Sequence, residues 1–138
     1  MQLPIKKLII GVIKRDNQIL LRKKFANSKP YKETWYLFGC EPELGKEPSQ
    51  IFIDYAKNNL GINIEFNRIL PVNTETKEDH DGITKKFIYI AMEFNYIDGK
   101  PLLPESHEKI EFINIDNLKN TDLVPPSKKL FKQIGYIE

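Results

Sequence analysis

The chain has 138 residues, 41% of them hydrophobic and 29% charged, with a formal net charge of +2. That length holds one domain around a single core, read as 1–138. The small charge argues against a nucleic-acid partner, and no run of about 18 apolar residues is present to cross a membrane. A single cysteine, Cys40, excludes an internal disulfide. With no signal-peptide pattern in Met1-Gln2-Leu3-Pro4-Ile5-Lys6-Lys7, the expected location is the cytoplasm.

Lys7 to Lys14 is an apolar, β-branched run that predicts a strand. Asp16-Asn17 supplies a turn, and Gln18 to Lys24 returns as the second arm of a hairpin. Phe25 to Thr34 is polar, contains Pro30 and reads as a loop. Trp35 to Phe38 is a short aromatic strand, and Glu41 to Glu47 a second loop. Pro48 suits a first helical turn, where its missing N–H costs nothing. From Ser49 the apolar positions Ile51, Phe52, Ile53, Tyr55, Ala56 and Leu60 make one helical stripe, and Gly61 sits just past the helix end.

Ile62 to Leu70 predicts another strand, Val72 to Gly82 an acidic loop, and Ile83 to Tyr96 a long β segment. Asp98-Gly99 makes a turn and Glu108 to Asn114 a further strand. Short helices follow near Ile115 to Leu118 and over Ser127 to Ile134. Strands broken by one central helix, with a helix near the end, define an α+β fold. The basic clusters Arg22-Lys23-Lys24, Lys85-Lys86 and Lys128-Lys129 with Lys132 read as solvated faces, although the first adjoins the motif described next.

Hairpin, Trp-aromatic strand, Gly39-Cys40, helix and Leu60-Gly61-Ile62 fall in an order that resembles the Nudix hydrolases across nearly the whole chain. The resemblance implies a Nudix-like α/β/α sandwich with a mixed β-sheet. The family motif is G-x5-E-x7-R-E-U-x-E-E-x-G-U, with U a bulky aliphatic residue. Setting its last Gly at Gly61 puts Cys40 at the first Gly, Lys46 at the first Glu, Asp54 at the Arg and Tyr55 at the next Glu. Ala56 takes the aliphatic place, Asn58 and Asn59 the adjacent acids, and Ile62 closes the motif.

The frame survives and the carboxylates do not. Mg²⁺ is held by hard oxygen ligands, usually including one or two carboxylates, and must neutralise charge on a diphosphate. Asn58 and Asn59 bring neutral amides, Tyr55 a phenol protonated at neutral pH, and Lys46 the opposite charge. Glu41, Glu43, Glu47 and Asp54 remain, either as a displaced metal site or as solvated acids near a helix start. Cys40 reads as a packed small residue rather than a nucleophile.

Within the family the chain looks most like the GDP-mannose mannosyl hydrolases, which also lack most of these acids. Leu103-Pro104-Glu105-Ser106-His107-Glu108 resembles their acidic histidine loop, and Ile110-Glu111-Phe112-Ile113 the strand after it. That resemblance implies hydrolysis at the sugar's anomeric carbon, with His107 as general base. It implies one weakly held Mg²⁺ or Mn²⁺ on the Cys40 backbone carbonyl and Asn59, with Ser106 at a further ligand position. Lys24 matches an arginine that holds the diphosphate, and Arg22 lies two residues away on the same strand face. Against this, Glu41 stands where that branch has a phosphate-facing arginine. His80, in Glu78-Asp79-His80-Asp81, reads as a solvent-loop residue.

Three functions therefore stay open. The favoured reading is a divergent hydrolase of a GDP-mannose-like nucleoside diphosphate sugar. Another is a catalytically inactive domain that binds a nucleotide or nucleotide sugar through Arg22, Lys24 and Trp35. The last is a protein interaction module. The expected partner is a small molecule, and the family suggests a homodimer.

Overall fold

The computed structural model describes residues 2–24, 34–103 and 107–138, with backbone alone at Lys24, His107 and Glu108. At its centre β1 (Ile5–Arg15) runs parallel to β7 (Thr84–Asp98), paired continuously from Ile5↔Lys86 to Lys14↔Asn95. Both strands are rich in β-branched and aromatic residues, as strands buried on two faces require. On the far side of β7 lie β5 (Asn63–Ile69) and β6 (Asn73–Glu78), both antiparallel to it.

The other side of β1 is shared. Asp16, at a φ of 52°, turns the chain into β2 (Gln18–Lys24), which bonds β1 only at Lys14↔Ile19 and Arg15↔Gln18. Beyond that point β2 pairs with β3 (Trp35–Tyr36), while β1 pairs with β4 (Phe38–Cys40). The short segment 35–40 thus changes partners at Leu37. There the Leu37 N–H leaves the ladder and donates to the Ser127 hydroxyl at 3.5 Å. The outer edge of β2 carries β8 (His107–Asn114).

Alternation along these strands divides two cores. Ile9, Ile13, Leu20, Phe38, Met92 and Phe94 face α1 (Pro48–Tyr55), with Phe52, Ala56 and Leu60 from the helical segment. Val12, Ile19, Leu21 and Ala91 face the other way, toward a 3₁₀ turn (Ile115–Asn120) and α2 (Pro125–Gln133). The result is the expected α+β sandwich around a mixed sheet. Among the described residues no helix is long and apolar enough to cross a membrane.

Helix α1 starts at Pro48 as its sequence predicts, with Ile51 N–H donating to the Glu47 carbonyl at 3.0 Å. The single helix expected to run to Leu60 instead becomes a π-helical turn over Ala56–Leu60. The Gly61 N–H donates to the Ala56 carbonyl, and so does that of Ile62, at 3.3 Å. Gly61 itself has a φ of 68°, the left-handed geometry that closes the helix.

Two further expectations are corrected. Val72 to Gly82 is not all loop, because β6 spans Asn73–Glu78. Its sequence, Asn-Thr-Glu-Thr-Lys-Glu, has no apolar residue, and pairing with β7 makes the strand. His107 opens β8 instead of lying in a loop. Most of the expected Phe25–Thr34 loop, and 104–106 of the acidic loop, lie outside the described residues.

One contact sets the depth at which α1 docks. Phe52 is fully buried, its ring stacked on Phe94 with centroids 4.9 Å apart. It lies over Gly11 so closely that a Cβ there would sit 2.1 Å from the ring. Burying such a ring contributes roughly 1.5–3 kcal/mol. Gly11→Ala is expected to destabilise the fold by about 1–3 kcal/mol through overpacking, read as a fall in the urea midpoint. Combining it with Phe52→Leu should cost less than the sum of the single changes; simple additivity would mean that the two residues do not press on each other.

Candidate functional site

The side chain that matters most is Arg22, on the part of β2 that pairs with β3. Its guanidinium stacks on Tyr36, 4.5 Å from the ring centroid, and on Phe38 at 4.9 Å. Both aromatics come from the strand segment after Trp35, and Tyr36 is the cross-strand partner of Arg22. Burial lowers the pKa of Arg22, only partly offset by the Tyr36 and Tyr55 phenols. An arginine stays charged through a shift of this kind.

Tyr55, from the last α-helical turn of α1, completes the cluster. It stacks obliquely on Phe52, with centroids 5.5 Å apart, and interacts electrostatically with Arg22 and Cys40. Burial raises the pKa of Tyr55 and pushes Tyr36 up to about 12. It pushes the Cys40 thiol up to about 11. All three are protonated at neutral pH, so Cys40 is no nucleophile.

A cavity of about 310 Å³ opens beside this cluster, between the sheet and α2. Leu8 and Ile10 of β1, Phe87, Tyr89 and Ala91 of β7, and Leu130 of α2 form its walls. Arg22, Tyr36 and Gly39 stand at one end. The buried Asn73 also lines it, held by reciprocal hydrogen bonds with Gln133 of 2.7 and 2.9 Å that tie β6 to α2. Sequence patterns do not reveal this cavity, since its walls come from elements scattered along the chain.

Lys6, Lys77, Glu78 and Asp79 also line the cavity. Asp79 accepts from Lys6 and Lys85, each at 3.0 Å, and from the His80 backbone N–H at 2.9 Å. Burial works against its ionisation. The hydrogen bonds from Lys85, the His80 backbone, Lys6 and the His80 ring outweigh it, holding the carboxyl well below the usual range. His80 is exposed and serves this turn, in keeping with its reading as a loop residue.

The predicted site residues separate on inspection. Arg22 lines the cavity. Trp35 packs against the core cluster on the α2 side, with its backbone bonded to Asp122 and Val124. Its neighbour Tyr36 is the residue that reaches the cavity. Cys40 is half-buried beside Tyr55. Asn58 and Asn59 fall in the π-helical turn and are exposed. Lys24 and His107 are backbone partners at the end of the β2–β8 ladder.

No family model matches the sequence, and no curated relative matches it. Solved structures do. A MutT protein from Methanosarcina mazei Go1 aligns with a TM-score of 0.78 at 15% identity, covering 98% of this chain and 96% of its own. The MutT Nudix hydrolase of Burkholderia pseudomallei aligns at 0.76 and 20%, covering 94% and 98%. The fold is that of the Nudix hydrolases. An ADP-ribose pyrophosphatase from Streptococcus suis 89-1591 shares it, at a TM-score of 0.64 and 14% identity over 95% and 87% of the two chains.

The Nudix frame sharpens what the residues can hold. At the motif's acidic positions stand Tyr55, beside a buried arginine, and the exposed amides Asn58 and Asn59. Lys46 is taken up by Glu43 at 2.7 Å. Among the described residues no three His, Cys, Asp or Glu side chains gather into a metal-binding group. Neutral donors such as the Cys40 carbonyl and Asn59 amide, with no group of carboxylates beside them among the described residues, do not fit Mg²⁺ or Mn²⁺.

The Asp79 cluster gives the molecule an acid-sensitive point. Its folded pKa is depressed, so its contribution is present above the unfolded value of roughly 4 and is lost as pH falls through the folded value. Asp79→Asn is expected to lower the melting temperature at pH 7 and to flatten its decline below about pH 4. Thermal melts across that range provide the measurement, and parallel profiles for the two proteins would remove the cluster from the account.

Proposed function

We propose that the chain binds a nucleotide or nucleoside diphosphate sugar, its base or sugar in the cavity and its phosphates toward Arg22. The observation that carries this reading is an aromatic-walled cavity lined by a half-buried arginine whose Nε is out of solvent. Its volume of about 310 Å³ lies at the small end of ordinary ligand sites, roughly 300–1,000 Å³. That is room for one base or sugar unit rather than a whole dinucleotide. Phe87 and Tyr89 give the cavity an aromatic wall, with Lys77 over both rings, and the Arg22 fork suits phosphate oxygens. The structural likeness to an ADP-ribose pyrophosphatase is in keeping with this ligand class.

A second reading makes the chain a hydrolase of a GDP-mannose-like sugar, with His107 as general base. The backbone register favours it, because His107 pairs with Lys24 two residues along β2 from Arg22. Its metal-bearing form, with Mg²⁺ or Mn²⁺ on Cys40 and Asn59, draws no support from the donor set. This reading expects release of free mannose from GDP-mannose, abolished by His107→Ala. Absence of sugar release from wild-type protein over a nucleotide-sugar panel leaves binding alone.

The primary test is titration calorimetry with UDP, GDP and ADP and their sugar conjugates. At least one is expected to bind, and Leu8→Trp, which fills the cavity from β1, should weaken it at least about tenfold (near 1.4 kcal/mol). If no member of the panel binds or shifts the melting temperature, the nucleotide reading is wrong and the interaction module takes its place.

A further inference from the structure

Arg22 is a desolvated cation without a counter-ion in the described structure. Its Nε is buried and has no hydrogen-bond partner among the described residues. Among the described residues no carboxylate forms an ion pair with it. The described groups that perturb its charge are the phenols of Tyr36 and Tyr55. The guanidinium carbon lies over the rings of Tyr36 and Phe38. Hydrogen bonds, however, are made at its edge, where a guanidinium carries five N–H donors.

A half-buried charge unpaired among the described residues opposes folding, and a fork of donors is shaped for an anion with paired oxygens. Arg22 also lines the cavity, so an anion reaching it need not cross the core. In the family motif position 55 carries a carboxylate. Here Tyr55 stands next to the cation in its place. A dication at this position would be repelled by Arg22 with no carboxylate between them, whereas a phosphoanhydride would be attracted.

We propose that the metal position of this Nudix fold has been rebuilt as a metal-independent seat for a phosphoanhydride, with Arg22 taking the charge-neutralising place of the dication. This deepens the reading above and rests on the same site, but it names its own ligand group. Tyr36 and Phe38 hold the guanidinium plane by stacking. Tyr55 keeps the α1 side of the seat uncharged, so that no fixed anion competes with the ligand for Arg22.

The test is calorimetric titration of inorganic pyrophosphate into the full chain, in EDTA and then with Mg²⁺ or Mn²⁺ present. Wild-type protein is expected to bind in EDTA, with no metal required. Arg22→Met should weaken binding at least about tenfold, Arg22→Lys should recover part of it, and Tyr55→Glu should weaken it by supplying a competing carboxylate. Thermal melts separate ligand binding from structure: Arg22→Met should leave the ligand-free melting temperature unchanged or raised, because it removes an unpaired buried charge. A large fall in melting temperature with unaltered pyrophosphate binding would make Arg22 structural and overturn the proposal. So would pyrophosphate binding that requires metal, or no pyrophosphate binding at all. If pyrophosphate binds but no nucleotide binds more tightly, the seat stands and the cavity reading falls. If nucleotides bind wild type and Arg22→Met equally, the cavity reading stands and the seat falls.

Discussion

The absence of a side chain at Gly11 governs this molecule. It lets the Phe52 ring lie against β1, and the same ring stacks on Phe94 of β7. One helix residue is therefore fixed to both strands of the parallel pair. Tyr55, one turn later, is carried to Arg22 and Cys40 by that anchoring. The character of the site follows from what α1 delivers at this point, and it delivers a phenol.

The segment from Trp35 to Cys40 supplies the other half of the site by serving two masters. Its first residues belong to β2 and its last to β1. The change of partner opens the sheet locally at Leu37, where a hydroxyl from α2 meets the freed backbone N–H. Tyr36 and Gly39 flank this opening, and the cavity between sheet and α2 reaches Arg22 there. A continuous strand would have closed the sheet and separated the cavity from the arginine. The site thus depends on an irregularity in the ladder, as binding sites on otherwise regular scaffolds commonly do.

Much of the architecture was legible where local signals are strong. Asp16-Asn17 between two apolar runs marks the first hairpin, and Pro48 and Gly61 bracket the helical segment. The strand β6 was not legible, because Asn-Thr-Glu-Thr-Lys-Glu alternates no apolar residue. It is held by cross-strand pairing with β7 and by the Asn73–Gln133 amide pair. The π-helical turn was equally hidden, since it is a matter of which carbonyl the Gly61 and Ile62 N–H groups reach. At the site, the loss of the motif acids and the interest of Arg22 could be read directly. That Trp35 packs into the α2-side core while Tyr36 shares a face with Arg22 depends on strand register, and a shift of one residue exchanges the two faces.

The parallel pairing of β1 with β7 carries a consequence for how the chain reaches its native state. Ile5 must find Lys86 and Lys14 must find Asn95, with both β2 and α1 lying between them in sequence. Closing so long a loop is costly before any contact rewards it, and topologies of this kind fold slowly. Until β7 is in place, α1 has Gly11 to rest on but not Phe94, and the sheet has no centre. The hairpin and helix, the most conspicuous local features, are therefore unfinished structures while the chain is being synthesised. They wait on a strand that begins only at Thr84, exposing the Ile- and Leu-rich face of β1 and β2 to chaperones and to aggregation in the interval.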